Sequence, residues 1–323
     1  MTTAVLEIEG LDVRLSEGRA ARPILDGVSL RVAAGETVGL VGESGSGKSV
    51  ACRSVLGLLP GGAAASGEVR VGGRDVLAMD RAELARTRAR QVAMVYQDPR
   101  ASVNPLRRVG DFLTEGLRAT GASAAAARQR ALELLESVGI RDPEGALRRY
   151  PHQFSGGMLQ RVVIAAALAG EPELLVADEP TTALDVTTQA EVIAILTRLK
   201  DERGTGLLFV THDLELAAAI CDRVYVMYAG RIVETAATGE LFDTPRHPYT
   251  AGLLASTPRI EAGAPPPRPI PGRPVPLSEA PPGCAFAARC AYAQERCTRE
   301  SPVLEAHGGA LVACHRADEG ITL

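Results

Sequence analysis

The octapeptide Gly42-Glu43-Ser44-Gly45-Ser46-Gly47-Lys48-Ser49 constrains this chain more than any other stretch. It fits the pattern G-x-x-x-x-G-K-[ST], whose glycines let successive backbone N–H groups curl around phosphate oxygens. Such a loop works only between a buried strand and a helix. Thr37-Val38-Gly39-Leu40-Val41 reads as that strand, and Val50 to Leu59 as that helix. The positive end of the helix favours an anion in front of it. Gly42, Ser44, Gly45, Ser46, Gly47 and Val50 are therefore expected to line a nucleotide's phosphates. Lys48 should bridge the outer phosphates, and the Ser49 hydroxyl should take one Mg2+ position.

A second motif closes the apolar run Leu174-Leu175-Val176-Ala177 with Asp178 and Glu179. Adjacent acids at the end of a buried strand cost desolvation unless they face a cation. Beside a phosphate cradle they gain a purpose. Asp178 would hold Mg2+, directly or through water, and Glu179 would polarise the attacking water as general base.

The remaining pattern supplies a frame. Leu6, Ile8, Leu11, Val13 and Leu15 alternate with charged residues as in a half-buried strand, and Leu30–Val32 with Val69–Val71 reads as a second antiparallel pair. Leu207-Leu208-Phe209-Val210 is another buried strand. Thr188 to Lys200 carries a helical stripe of Val192, Ile195, Leu196 and Leu199. Strands alternating with helices of this length predict an α/β fold with a parallel sheet. Residues from about 100 to 170 turn helical, especially Ala124 to Leu135, and Pro258 to Pro282 is Pro-rich, including Pro265-Pro266-Pro267. We therefore expect a nucleotide-binding domain over 1–257, with a helical subdomain near 100–170, and a linker with a Cys-bearing extension over 258–323.

Composition removes several roles. Net charge is −4, aromatics are 3% and Trp is absent, so neither a basic field nor a stacking surface invites nucleic acid. No run approaches the roughly 18 apolar residues that span a bilayer. The longest, Val162 to Ala169, meets Gly170-Glu171-Pro172, and Met1-Thr2-Thr3-Ala4-Val5 lacks the features of a signal peptide. The chain is expected in the cytosol, with any membrane role exercised through partners.

Between the two phosphate motifs lies Phe154-Ser155-Gly156-Gly157-Met158-Leu159-Gln160-Arg161. Ser155 suits the cap of a helix running from Met158 to Ala169, whose positive end can meet an anion. The octapeptide resembles the signature of ABC ATPases, usually Leu-Ser-Gly-Gly-Gln, with Phe154 in place of the Leu and Met158 in place of the Gln. This variant is similar to the form found in peptide-transporter ATPases. The resemblance extends over roughly residues 4 to 320. It implies a P-loop NTPase ABC cassette: a mixed sheet core, an antiparallel β subdomain and a helical subdomain. It also implies that Ser155, Gly156 and Gly157 meet the γ-phosphate held by another subunit. Gln97, after Val92-Ala93-Met94-Val95-Tyr96, resembles the Q-loop residue that senses Mg2+ and water and contacts the membrane subunit. Ala183-Leu184-Asp185 resembles the D-loop, placing Asp185 at the nucleotide, and His212 resembles the switch histidine at the γ-phosphate. One departure stands out: Arg19-Ala20-Ala21-Arg22-Pro23-Ile24 lacks the aromatic residue that stacks on adenine in many ABC ATPases, leaving Arg22 to stack in its place.

Two further features narrow the family. Thr244-Pro245-Arg246-His247-Pro248-Tyr249-Thr250 resembles the His-Pro-Tyr-Thr hallmark of oligopeptide and dipeptide transporter ATPases; by itself it reads as a rigid turn into the extension. Cys284, Cys290, Cys297 and Cys314 follow. In a reduced compartment four such residues favour a metal over disulfides, but their spacing fits neither the usual zinc pairs nor the common ferredoxin runs. Unpaired thiols in a packed extension remain the alternative. The resemblance implies a [4Fe–4S] cluster on these four cysteines, with Zn2+ as the other candidate and His315 as a neighbour, whereas Cys52 and Cys221 read as core residues.

Taken together, the resemblance implies an ATP- and Mg2+-dependent subunit on the cytoplasmic face of the cell membrane, peripheral to it. It would pair with a homologous cassette, as a heterodimer or else a homodimer, and dock near Gln97, Asp98 and Pro99 on two transmembrane permease subunits. An extracytoplasmic binding protein would deliver dipeptides or oligopeptides. Import of nickel or another small solute is the alternative within transport. A soluble ABC ATPase acting on nucleic acid is the rival outside it, and neither a second cassette nor a long coiled-coil insertion supports that rival.

Overall fold

The computed structural model describes residues 3–17, 20–182, 184–258, 266–319 and 321. Arg19 of the adenine-stacking stretch, Ala183 of the D-loop resemblance, Pro265 of the Pro-rich run, and Met1 and Thr2 lie outside these. In chain order the strands are β1 (Ala4–Glu17), β2 (Ala20–Ala33), β3 (Thr37–Val41), β4 (Ala63–Val71), β5 (Arg74–Asp75), β6 (Val92–Val95), β7 (Leu174–Asp178), β8 (Gly206–Thr211), β9 (Arg223–Tyr228), β10 (Arg231–Ala237), β11 (Glu305–His307) and β12 (Ala310–Val312).

They build two sheets. The smaller is antiparallel, in the order β2-β1-β4-β5. Its centre is β1, where Ile8 faces Leu30 on one side and Val69 on the other. Leu30–Val32 and Val69–Val71 therefore do not pair with each other, as the sequence pattern had suggested. A long strand has two hydrogen-bonding edges, and here each edge takes one of them.

The larger sheet runs β11-β12-β10-β9-β3-β8-β7-β6, with β6, β7, β8, β3 and β9 parallel and the other three antiparallel. Every residue of β3, β7 and β8 is buried. The reason is that both faces are covered. Val38, Leu40, Leu174, Val176, Leu208 and Val210 pack against Leu6, Ile8 and Leu11 of the smaller sheet. Leu175, Ala177, Leu207 and Phe209 point the other way, into a core shared with the helices Val109–Ala119, Ala124–Ser137 and Gly156–Ala167. Continuous apolar strands without alternation are what two-sided burial requires.

Two local departures from expectation matter. The helix after the cradle spans Lys48–Ser54 rather than Val50–Leu59, so Lys48 and Ser49 sit in its first turn. It ends early because Gly57 takes a left-handed φ of 63°, which stops helical propagation. The Cys-bearing extension also joins the main sheet, since β12 pairs with β10 through Glu234–Val312 and Thr235–Leu311.

Candidate nucleotide-binding site

Four strand ends meet at one edge of the main sheet. The cradle follows β3, Asp178 ends β7 with Glu179 after it, His212 follows β8, and Gln97 comes two residues after β6. In the sheet order these are neighbouring strands, so residues far apart in sequence converge at their carboxyl ends, where ligands bind open α/β sheets.

The cradle is shaped by backbone conformation. Gly42 has φ 151°, and a Cβ there would overlap the Met227 carbonyl of β9. Lys48 is buried, and its Nζ donates to the carbonyls of Gly42 at 2.7 Å and Glu43 at 3.0 Å. Burial pulls its pKa down, opposed by the charges of Glu179 and Asp178. Ser49 Oγ donates to Asp178 Oδ1 at 3.1 Å. Burial pushes the Asp178 carboxyl up, opposed by that hydrogen bond. A pocket that disfavours both isolated charges suits a ligand bringing its own paired charges, as a magnesium–triphosphate complex does.

Glu179 has φ 48°, a left-handed backbone for a residue with a Cβ, pinned by its N–H donating to Val210 O at 3.0 Å. Its Oε2 accepts from Gln97 Nε2 at 3.0 Å and Thr182 Oγ1 at 2.9 Å, with His212 Nδ1 at 3.4 Å. Three polar side chains thus surround one carboxylate oxygen, the arrangement expected of a base that must be aimed.

Ser155, Gly156 and Gly157 open another helix. Ser155 is exposed and caps the helix Gly156–Ala167, its Oγ accepting from Met158 N at 3.3 Å. Asp185 caps the helix Val186–Arg203, accepting from Thr188 N at 3.0 Å and Thr188 Oγ1 at 2.7 Å. The two helix starts pack together: a Cβ on Gly157 would overlap Thr188 Cγ2, and Gly156 faces Leu184.

Comparison with known proteins agrees with this layout. Residues 25–182 match the ABC transporter family, and residues 233–297 match the C-terminal region of oligopeptide/dipeptide transporters. A probable peptide ABC transporter ATP-binding protein, y4tR of Sinorhizobium fredii, is 45% identical over 99% of this chain and 97% of its own. The oligopeptide transport ATP-binding protein OppD of Escherichia coli is 42% identical over 98% and 94%. This chain is an ABC transporter ATP-binding protein of the oligopeptide/dipeptide family. A dimeric bacterial ABC transporter cassette, MJ0796, matches with TM-score 0.65 at 29% identity, covering 72% of this chain and 98% of that one.

Within this ABC protein, a residue outside the nucleotide motifs also reaches the cradle. Tyr249 is fully buried and its Oη accepts from Glu43 N at 2.8 Å. The segment around it is not the rigid turn anticipated but the start of the helix Pro248–Ser256. His247 caps that helix, its Nδ1 accepting from Tyr249 N at 3.0 Å, while Glu234 Oε1 and Oε2 accept from Arg246 N at 2.7 Å and His247 N at 3.0 Å. Pro248 at the first helical position was the available signal. Tyr249's reach back to Glu43 left no local trace. Arg22 is exposed, and its Nε donates to Ser278 Oγ of the extension at 3.1 Å.

Cys284, Cys290, Cys297 and Cys314 line one small cavity together with His315, Phe286 and Tyr292. The Arg316 N–H donates to Cys314 Sγ at 3.4 Å. Burial pushes the Cys284, Cys290 and Cys314 thiols up. Among the described residues no group of three or more His, Cys, Asp or Glu side chains is disposed to hold a metal ion. The donors as placed therefore do not form a mononuclear site such as Zn2+ needs, with four of them within about 2.3 Å of one point. Cys52 and Cys221 are buried in the core.

Proposed function

We infer that this chain binds and hydrolyses ATP to power import of dipeptides and oligopeptides through a membrane ABC transporter. The observation that carries the reading is the gathering of Gln97 and His212 on Glu179 Oε2, beside the buried Lys48 and the Ser49–Asp178 pair. Glu179 takes the proton of the attacking water, Gln97 and His212 orient that carboxylate, and Lys48 stabilises charge on the outer phosphates. Backbone N–H groups of Gly42, Ser44, Gly45, Ser46, Gly47 and Val50 complete the cradle. Ser49, Asp178 and Gln97 are the residues that would hold Mg2+, which offsets phosphate charge.

The exposed Ser155 cap supports a two-cassette arrangement, in which Ser155, Gly156 and Gly157, with Asp185 nearby, face nucleotide on a homologous partner. Leu106, 85% exposed, and the groove lined by Tyr96, Ser102, Phe112 and Gly116 support docking of two permease subunits beside Gln97. Among the described residues no helix is long and apolar enough to cross a membrane, which fits a peripheral subunit on the cytoplasmic face. Peptide as the cargo class, delivered by an extracytoplasmic binding protein, draws on the match over 233–297 and on the relatives' names. For the extension, the cavity shared by the four cysteines and the Arg316 N–H on Cys314 support a [4Fe–4S] cluster on Cys284, Cys290, Cys297 and Cys314, which would cross-link that segment.

The test is reconstitution of the whole complex in proteoliposomes. Peptide-stimulated ATP hydrolysis with peptide uptake is expected. Hydrolysis stimulated by nickel alone, or by nucleic acid, would overturn the cargo assignment. Anaerobic purification should yield about four irons per chain; iron-free, colourless protein would remove the cluster.

A further inference from the structure

Glu43 occupies an unspecified position of the cradle motif, yet all its polar groups are fastened. Its N–H donates to Tyr249 Oη at 2.8 Å, and its carbonyl accepts from Lys48 Nζ at 3.0 Å. Its carboxylate takes both arms of the Arg289 guanidinium, Nη1 to Oε2 at 2.6 Å and Nη2 to Oε1 at 3.0 Å. Arg289 lies 246 residues downstream, in the extension. Its side chain is only 5% exposed. Nε donates to Pro271 O at 2.8 Å, and the guanidinium lies 5.8 Å from the ring centroids of both Tyr228 and Phe286. A planar fork held this way is a rigid support for a carboxylate, and a lysine could not reproduce it.

The support matters because of Lys48. Its ammonium holds the Gly42 and Glu43 carbonyls, and the outer phosphates compete for the same charge. A loop whose shape depended on Lys48 alone would lose that support as phosphate bound. Tyr249 and Arg289 anchor the loop independently, and preorganisation of this kind lowers the ordering cost of binding.

We propose that Arg289, together with Tyr249, is a positioning residue for the phosphate cradle, through which the C-terminal extension presets the loop for a nucleoside triphosphate. The proposal rests on the nucleotide reading above. It is tested in the assembled transporter by ATPase kinetics and by equilibrium binding of a fluorescent ATP analogue. Arg289→Ala and Glu43→Gln should each raise KM and Kd about 5- to 20-fold while kcat stays within twofold. The double variant should be no worse than the weaker single, and Arg289→Lys should recover only part of the loss. Should Arg289→Ala fail to fold, Glu43→Gln leaves the extension intact and carries the same readout. Unchanged KM and Kd in Glu43→Gln, or additive losses in the double variant, would overturn the proposal. Lys48→Ala separates the two readings: if it binds nucleotide normally the site itself is wrong, whereas if it alone abolishes binding only the positioning role fails.

Discussion

Gln97 Nε2 donates to Glu179 Oε2 at 3.0 Å across 82 residues of sequence. The contact exists because β6 and β7 are adjacent parallel strands, so the loop after one faces the loop after the other. The left-handed backbone at Glu179 then turns its carboxylate toward Gln97, Thr182 and His212.

That geometry makes Glu179→Gln informative. The amide keeps the size and hydrogen-bonding capacity of the side chain but cannot take a proton from water. ATP binding should persist while turnover by the assembled transporter falls at least 100-fold, the range for losing a general base. Steady-state ATPase rates alongside nucleotide-binding isotherms check this; wild-type turnover would remove Glu179 as the base.

Ser49→Ala deletes the hydroxyl that donates to Asp178. Groups that orient a metal ligand typically contribute 10- to 100-fold in metal affinity. The Mg2+ concentration giving half-maximal hydrolysis should rise by about that factor, and EDTA should abolish hydrolysis in the wild type. A magnesium titration of ATPase activity decides it, an unshifted midpoint counting against Ser49 as a ligand.

Gly157→Ala places a methyl group against Thr188 Cγ2, whose hydroxyl is tied to Asp185 and cannot rotate freely. Alanine is a better helix former than glycine, so any loss is steric. A destabilisation of about 1–3 kcal/mol is expected, the usual cost of overpacking. Thr188→Ser removes the clashing methyl while keeping the hydroxyl, so the double variant should regain most of the melting temperature. Failure of that rescue would show that the two helix starts do not pack as described.

Burial pushes the Cys221 thiol up to about 12 and raises Cys52 well above its ordinary range. At pH 8 only about one Cys221 thiol in 10,000 is then ionised, and the thiolate is the reactive form. Native protein treated with iodoacetamide at pH 8 should leave both residues unlabelled, while unfolded protein labels both. Peptide mass mapping reads the result. Rapid native labelling of Cys221 would contradict its packing over Gly39 of β3.

Much of the site is legible in the chain because its chemistry is local. The cradle pattern, the acids closing β7 and the Ser155 cap each lie within a few residues. The continuous apolar character of β3, β7 and β8 likewise announces strands covered on both faces. Period, spacing and capping act over short separations, so the α/β strands and the phosphate cradle can be read from the chain, while the Ser155-Gly156-Gly157 and His247-Pro248-Tyr249-Thr250 segments carry the family resemblance.

Contacts between distant segments follow from packing instead. Packing set β1 between β2 and β4 and paired β12 with β10. It also joined Glu43 to Tyr249 and Arg289, 206 and 246 residues away. No pattern in the chain encodes those contacts individually. They arise when packing two sheets and a helical layer around shared cores folds the extension back onto the loop that opens the site.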